Sequence, residues 1–554
     1  MITCKTWAKV SSYPKVSLFV LYLLFTLIVY RNTFEAGLVF DFNGWAGVYS
    51  EHGFLDIIHS FGYPGLHQIE HFFFYSMYTV FGFNGMAWYI SFGVLHSTTA
   101  VLVFFFIRAL LNYVRKSNGN EKIALVSSFL FLSSPLAADV VVSKVCVHYY
   151  TSIIGILLAL MFYLRYIASQ ERVSLAYSLL AFVFALFSLE IAYMLPLAVL
   201  FLAVYSVVFQ CKEWKRFLMP VLAYFVVLAL FLLLHRLVVG SFIGHYGAEV
   251  HSAFHFDELM ANFSYYFNNY LLFFDFWPYQ WKVIQMEFVR NYWYGFVGII
   301  VVLMIAAYVF HQSMQRVFGE IILFIGLFAL ALTPILNLYC VTLQPIENDR
   351  YGYLASVFIY ALLAVVFVAP RKKWLYPFFI IYLFFHFKFL NHNVEAFAEM
   401  GQVSRGLIDD FDWNPEGRVI ILVQPENNNG ARAFATLVDH GSEFAESLYL
   451  ERGIDIRDQV ELIYEMNISS VHDSVIVQAV NENTLNLRIG QWGSWFWKYH
   501  LGAQSFETPD YAVKRIDDGQ FEIEFKTPIQ NEDLILYMHG DQWKTFNFYK
   551  GSKL

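Results

Sequence analysis

Apolar residues run along this chain in long blocks separated by short polar breaks, and the blocks stop abruptly near residue 392. They lie at 15–34, 87–112, 122–140, 149–168, 173–189, 190–210, 217–238, 294–311, 319–340, 351–369 and 374–392. Most are long enough to cross a bilayer as a helix. The stretch 173–210 would pass as a single helix by hydropathy, but Glu190 followed by Pro196 predicts a break inside it. The pattern therefore predicts about eleven membrane spans. After Lys5, Lys9 and Lys15 the first block has no small-x-small cleavage site, so it is expected to be a retained signal anchor.

Beyond 392 the pattern changes to short runs with strand character. RVIILVQ at 418–424, VIVQAV at 475–480, FEIEFK at 521–526 and LILYMHG at 534–540 read as strands. Spacing over 432–449 is helix-like. The expected organisation is a polytopic α-helical membrane domain over 1–392, a linker over 393–413, and an α/β or β-rich domain over 414–554. The aromatic run RIGQWGSWFWKYH at 488–500 suits packing against the bundle better than sugar stacking.

Composition agrees with the membrane assignment: 58% of residues are hydrophobic and only 14% charged. The net charge of −8 offers no basic field for nucleic acid. Cys4, Cys146, Cys211 and Cys340 have no metal-ligand or disulfide spacing. Basic residues sort the loops. With eleven spans, Arg115/Lys116/Lys122, Arg165/Arg172, Lys212/Lys215/Arg216, Arg316 and Arg371/Lys372/Lys373 share a side with the N-terminus, which is therefore expected to be cytoplasmic. Loops 35–86, 139–150, 239–293 and 341–350 and the C-terminal domain are then expected outside.

These outward segments gather the polar chemistry. LVFDFN at 38–43 leaves Asp41 at a membrane boundary, where an unpaired carboxylate is costly in hydrocarbon. HQIEH at 67–71 matches the H-x-x-E-H zinc pattern and sets His67 and His71 on one helical face. Five-residue matches are frequent and no third ligand stands at a fixed spacing, so binding of a divalent ion or a sugar suits these residues better than zinc hydrolysis. Asp139, Lys144 and His148 cluster at a short turn, Glu190 marks the break in 173–210, and ENDRYGYL places Asp349, Arg350 and Tyr351 at the start of another span. The long loop adds His245, His251, His255 and Asp257, and sequons stand at Asn262 and Asn467. Singly, such groups cap or snorkel; jointly, acids and cations on one face favour an active site over a structural network.

FDFNGW at 40–45, YPGL at 63–66, FGFNGMAWYISFGVLHS at 81–97, SPLAADVV at 134–141, FSLEIAYMLPL at 187–197, TPILN at 333–337 and DRYGYLAS at 349–356 occur in the order of motifs in the GT-C glycosyltransferase superfamily. The chain most resembles its transmembrane O-mannosyltransferase branch, which often carries TPR repeats; none follow here. The resemblance covers about residues 15–370 and has three departures: Phe42 replaces a second aspartate, Leu189 a lysine, and Ala355 a proline. It implies transfer of a sugar from a polyprenyl-phosphate donor to a protein, lipid or glycan acceptor at the outer membrane face, usually with inversion. Asp41 would be the base, and Asp139 and Glu190 would orient the acceptor, hold cations or help bind a metal. Arg350 would meet the donor phosphate, with Lys144 and His148 next and Tyr351, Asp349, His67 and His71 as further substrate-binding candidates. Superfamily members differ in metal dependence, and Phe42 lowers the expectation of a divalent ion. A bacterial inner membrane is the expected location. A transporter or flippase of lipid-linked sugars and a non-catalytic scaffold are the alternatives. The one-sided placement of the acids and the lack of an inverted repeat of broken helices weigh against transport.

Overall fold

The computed structural model describes residues 15–547 except 39–40, 56, 58–64, 116, 118, 243–254, 311–314, 338–345, 347–348, 369–372, 414, 426, 429, 435, 438–440, 464–465, 469–474, 491–493, 497–503 and 518. Asp56, His59, His245, His251 and most of loop 341–350 thus lie outside the described residues, as does much of the aromatic run 488–500.

Among the described residues fifteen α-helices build the first part. They are α1 (Lys15–Val29), α2 (Phe42–Glu51), α3 (Gln68–Phe81), α4 (Gly85–Val114), α5 (Asn120–Leu132), α6 (Ala138–Val142), α7 (Val147–Ser169) and α8 (Arg172–Leu186). They continue with α9 (Leu195–Gln210), α10 (Lys215–Val239), α11 (Phe256–Leu272), α12 (Tyr279–Phe310), α13 (Gln315–Leu332), α14 (Tyr353–Val368) and α15 (Tyr376–Asp409). Among the described residues each apolar block read from the sequence is helical over most of its length. Among the described residues five helical segments are long and apolar enough to cross a membrane, or six if the bent pair α5–α6 is one span. The chain is a multi-pass membrane protein; the figure of eleven spans stays a sequence expectation. Every residue from Tyr353 to Val365 on α14 is buried, whereas α10 presents Leu218, Leu222, Val226, Leu230, Leu233 and Leu237 outward. In water that stripe would be costly; against lipid chains it is not.

The break in 173–210 is present. α8 stops at Leu186, a 3-10 turn covers Glu190–Met194, and α9 starts with Pro196 in its first turn, where a missing N–H costs nothing. The expected linker is different from the prediction: α15 continues as helix through Asp409. Leu390, Val394, Phe397, Met400, Ser404 and Leu407 recur at three- and four-residue intervals and bury one face, while Glu395, Gln402 and Asp409 are exposed on the other face of a packed helix.

The C-terminal part is β-rich. β1 (Val419–Val423) lies between β14 (Leu534–His539) and β6 (Val460–Leu462), parallel to both, and β15 (Gln542–Phe546) pairs antiparallel with β14. A second, antiparallel sheet has the order β11-β12-β13-β9-β8, from β8 (Val475–Asn481), β9 (Thr484–Ile489), β11 (Ser505–Glu507), β12 (Tyr511–Asp517) and β13 (Gln520–Phe525). Short pairs join β2 (Asn427–Asn428) to β3 (Ala431–Arg432), β4 (Thr436–Leu437) to β5 (Gly441–Ser442), and β7 (Met466–Ile468) to β10 (Ser494–Phe496). The helix read over 432–449 is therefore confined to α16 (Glu443–Ser447) and the turn of helix that follows it.

The unbroken apolar run of β1 has a reason, since a strand covered on both faces need not alternate. Ile420 and Leu422 pack with Leu485, Leu487, Phe521 and Ile523 of the second sheet. Val419 and Ile421 join the core shared with Leu407, Phe411, Phe444 and Trp543, which is continuous with the helical bundle. Trp543 Nε1 donates to Leu407 O (3.1 Å), and Asn43 Nδ2 donates to Ser447 Oγ (2.5 Å), tying the domain to α15 and α2.

Candidate functional site

Backbone constraints hold residues 35–38 against the C-terminal end of α6. Gly37 has φ +78°, and a Cβ there would lie 2.0 Å from Val142 O. Gly401 on α15 lets Ala36 approach so closely that a Cβ would lie 2.8 Å from Ala36 Cα. Only glycine fits both demands. Lys144 N donates to Gly37 O (3.3 Å), completing the clamp. Asp41 sits at the N-terminus of α2 and makes no capping hydrogen bond with its side chain.

Asp41 is half-buried. Burial raises its carboxyl above the ordinary aspartate range; Arg350, Arg432 and His148 oppose that rise, and Asp139 adds to it. Asp139, Ser143, Arg350 and Arg432 line a small pocket together with Ala36, Gly37 and α15 residues Phe397, Met400 and Gly401. Its free space of about 10 Å³ holds about one water, so a sugar phosphate requires the walls to part. Asp139 is already committed: Ser143 Oγ donates to its Oδ1 (2.8 Å), and Arg350 Nη1 lies 3.5 Å from its Oδ2. Tyr351 supports Arg350, with the guanidinium carbon 5.4 Å from the ring centroid.

A second group leads away from the pocket. His148 Nδ1 donates to Glu70 Oε1 (2.7 Å), His67 Nδ1 meets Glu70 Oε2 (3.3 Å), and His67 Nε2 meets Glu190 Oε2 (3.0 Å). Carboxylates on both ring nitrogens require two donors, so His67 is an imidazolium. Burial opposes that charge, but Glu190 and Glu70 outweigh it and push His67 up to about 10. Burial likewise works against the Glu70 carboxylate, yet His148 and His67 hold it well below the usual range. The result is an alternating chain Glu190–His67–Glu70–His148 whose last member acts on Asp41.

The structure thus brings Asp41, Asp139, Arg350 and His148 together, with Tyr351 alongside and His67 and Glu190 one layer back. Three sequence candidates go elsewhere. Lys144 is buried with Nζ 5.0 Å from the Phe92 ring centroid and 3.4 Å from Val141 O. His71 Nδ1 pairs with Tyr49 OH (2.9 Å), and burial pushes the imidazole down to about 4, so it stays neutral and does not share a ligand with His67. Asp349 is hydrogen-bonded to Asp275 on the far side of its turn. Glu70 and Arg432 are the members that sequence reasoning left out. Glu70 lay inside the HQIEH match, whereas nothing local marks Arg432.

The position after Asp41 offers no metal ligand. Phe42, at the position after Asp41, is fully buried against Phe74, Phe83 and Trp88, with ring centroids 5.3–5.7 Å apart. Asp139 is held by Ser143 and Arg350, and among the described residues no group of three or more His, Cys, Asp or Glu is arranged around a common point.

No family model and no curated protein matches the chain. Solved structures to which it is similar include ArnT from Cupriavidus metallidurans bound to undecaprenyl phosphate, at 13% identity over 81% of this chain and 86% of that one, with a TM-score of 0.41. Two others are from Archaeoglobus fulgidus. One is the oligosaccharyltransferase in complex with Zn and sulfate, at 11% identity, 78% and 61% coverage and a TM-score of 0.38. The other is the oligosaccharyltransferase AglB with an inhibitory peptide and a dolichol-phosphate, at 11% identity, 79% and 63% coverage and a TM-score of 0.37. All three are distant likenesses.

Proposed function

We propose that this protein is a GT-C-type membrane glycosyltransferase that moves a sugar from a polyprenyl-phosphate donor to an acceptor hydroxyl, with inversion and with Asp41 as base. The observation that carries this reading is the setting of Asp41: a carboxylate with no capping duty, raised by burial, facing two arginines and a histidine beside a pocket. The motif order read from the sequence supports it independently. In the transfer the acceptor oxygen bonds to the anomeric carbon, the bond from that carbon to the phosphate oxygen breaks, and the acceptor proton passes to Asp41. A carboxylate raised toward neutrality is a better proton acceptor than an ordinary one. The leaving phosphate gathers negative charge, which Arg350 is placed to stabilise without reorganisation. Asp139 then holds Arg350, and Glu190 acts through His67 and Glu70 on His148; both are positioning residues.

The membrane placement puts such a donor within reach, since a polyprenyl chain partitions into the same bilayer as the helices. The test is direct. Purified protein is incubated with a polyprenyl-phosphate sugar and a panel of protein, lipid and glycan acceptors, and released polyprenyl phosphate is measured. Release matched by sugar on an acceptor supports the reading; reorientation of the lipid across vesicles with no bond cleaved contradicts it.

A further inference from the structure

We propose that the C-terminal domain supplies a substrate-binding residue: Arg432 and Arg350 form a two-armed clamp for a phosphate anion across the pocket beside Asp41. The inference rests on the glycosyl-transfer reading for the identity of the phosphate, but not for the clamp itself. The two arginines come from opposite parts of the protein. Arg350 stands in the 3-10 turn Asp349–Gly352 ahead of α14, and Arg432 stands on the β2–β3 hairpin, where it pairs with Asn427. Both line the pocket, and both act on Asp41.

The hairpin has a fixed seat. Asn428 donates to Glu399 on α15, Ala431 is fully buried in the core shared with the bundle, and Gly401 and Met400, two turns or less from Glu399 on the same helix, form the pocket wall next to Arg432. Arg432 itself is half-buried where it borders the pocket. This arrangement suits an anion better than a neutral ligand. Asp139 Oδ2 lies 3.5 Å from Arg350 Nη1; a phosphate entering between the two arginines that line the pocket replaces that carboxylate oxygen with its own, and planar guanidinium groups bind such oxygens two at a time. It also gives the domain a role in the reaction, since the pocket lacks one wall and one cation without it.

The clamp is tested on the full-length protein in nanodiscs by measuring binding of polyprenyl phosphate, and separately of inorganic phosphate, to wild type and to Arg432→Gln, Arg432→Lys and Arg350→Lys. The expected result is a loss of affinity of roughly ten- to a hundred-fold for Arg432→Gln, the range of a charge-assisted hydrogen bond, with partial recovery in Arg432→Lys. The same measurement in an Asp41→Asn background separates binding from mere neutralisation of Asp41. A clamp predicts the same fold-loss on adding Arg432→Gln there, whereas a residue that only offsets Asp41 predicts none and overturns the proposal. Unfolding temperatures of the variants exclude loss of fold, with Arg432→Lys keeping the test decisive should Arg432→Gln fail to fold. Arg432-dependent binding of inorganic phosphate without the lipid keeps the clamp and removes the lipid donor. Lipid binding that does not depend on Arg432 keeps the donor and removes the clamp. Binding of neither removes both.

Discussion

Asp349 and Arg350 are chain neighbours, yet they look into two different buried clusters, and the contrast between those clusters separates chemistry from architecture. Arg350 turns toward Asp139, Asp41 and the pocket. Asp349 turns the other way, to Asp275, whose carboxylate also accepts from Tyr265 and Asn269 while Lys282 Nζ donates to its carbonyl (3.1 Å). Two carboxyls share a hydrogen bond only when one keeps its proton. In the second cluster the two acids face each other, the neutral donors Tyr265 and Asn269, and a lysine ammonium fixed on a backbone carbonyl, which pins the turn before α14 to α11 and the turn after it. In the first, acids face arginines across a space, with charge that a substrate can rearrange. An ionisable group near a membrane span is a functional candidate by default; here one peptide unit carries one that fits the default and one that acts as a latch.

The strongest way to break this contrast is Asp41→Asn. Transfer is expected to fall by about 10²–10⁴-fold, the usual contribution of a general base, with the unfolding temperature unchanged or higher because a carboxylate raised by burial costs stability when ionised. Equal activity in the variant removes Asp41 from the mechanism. Next is Arg350→Ala, which strands Asp139 in a buried setting and is expected to cost about 3–5 kcal/mol of stability, the range for a broken buried ion pair, together with donor affinity; chemical denaturation and donor binding check the two effects.

The third concerns the chain Glu190–His67–Glu70–His148. A histidine pushed up to about 10 from its ordinary value near 6.5 contributes stability that is complete below 6.5 and is lost as pH rises through about 10. Glu70, held low, contributes above its ordinary value and loses that contribution as pH falls below it. Wild type should therefore melt at a lower temperature at pH 10 than at pH 7, and Glu190→Gln should flatten that slope. A slope unchanged in Glu190→Gln contradicts the imidazolium assignment. The smallest effect is expected from Asp349→Asn, which can keep the hydrogen bond to Asp275: activity within about threefold and stability within about 1 kcal/mol of wild type. A loss as large as that of Asp41→Asn would erase the distinction between the two clusters.

What could be read from the sequence was whatever is written locally. The apolar blocks, the break at Glu190 and Pro196, and the strands at 419–423, 475–481, 520–525 and 534–539 follow from hydropathy and period. The candidate site was legible where polar residues interrupt those patterns, as at Asp41, Asp139, Glu190 and Arg350. The helical course of 393–409 was present in the spacing of Val394, Phe397, Met400 and Leu407 but was masked by the polar residues between them. Lys144 lies against the Phe92 ring, a contact between positions 52 residues apart that no local pattern marks. Arg432 left no local signal: it stands after the turn-rich PENNNG run, and only the seating of its hairpin on α15 carries it to Asp41.

The central claim, inverting transfer at Asp41, is tested most directly by following one turnover with a polyprenyl-phosphate sugar of known anomeric configuration and determining that of the product by NMR. The account predicts release of one polyprenyl phosphate per sugar transferred, an inverted anomeric centre, and loss of both signals in Asp41→Asn. A retained configuration, or transfer that persists in that variant, would contradict it.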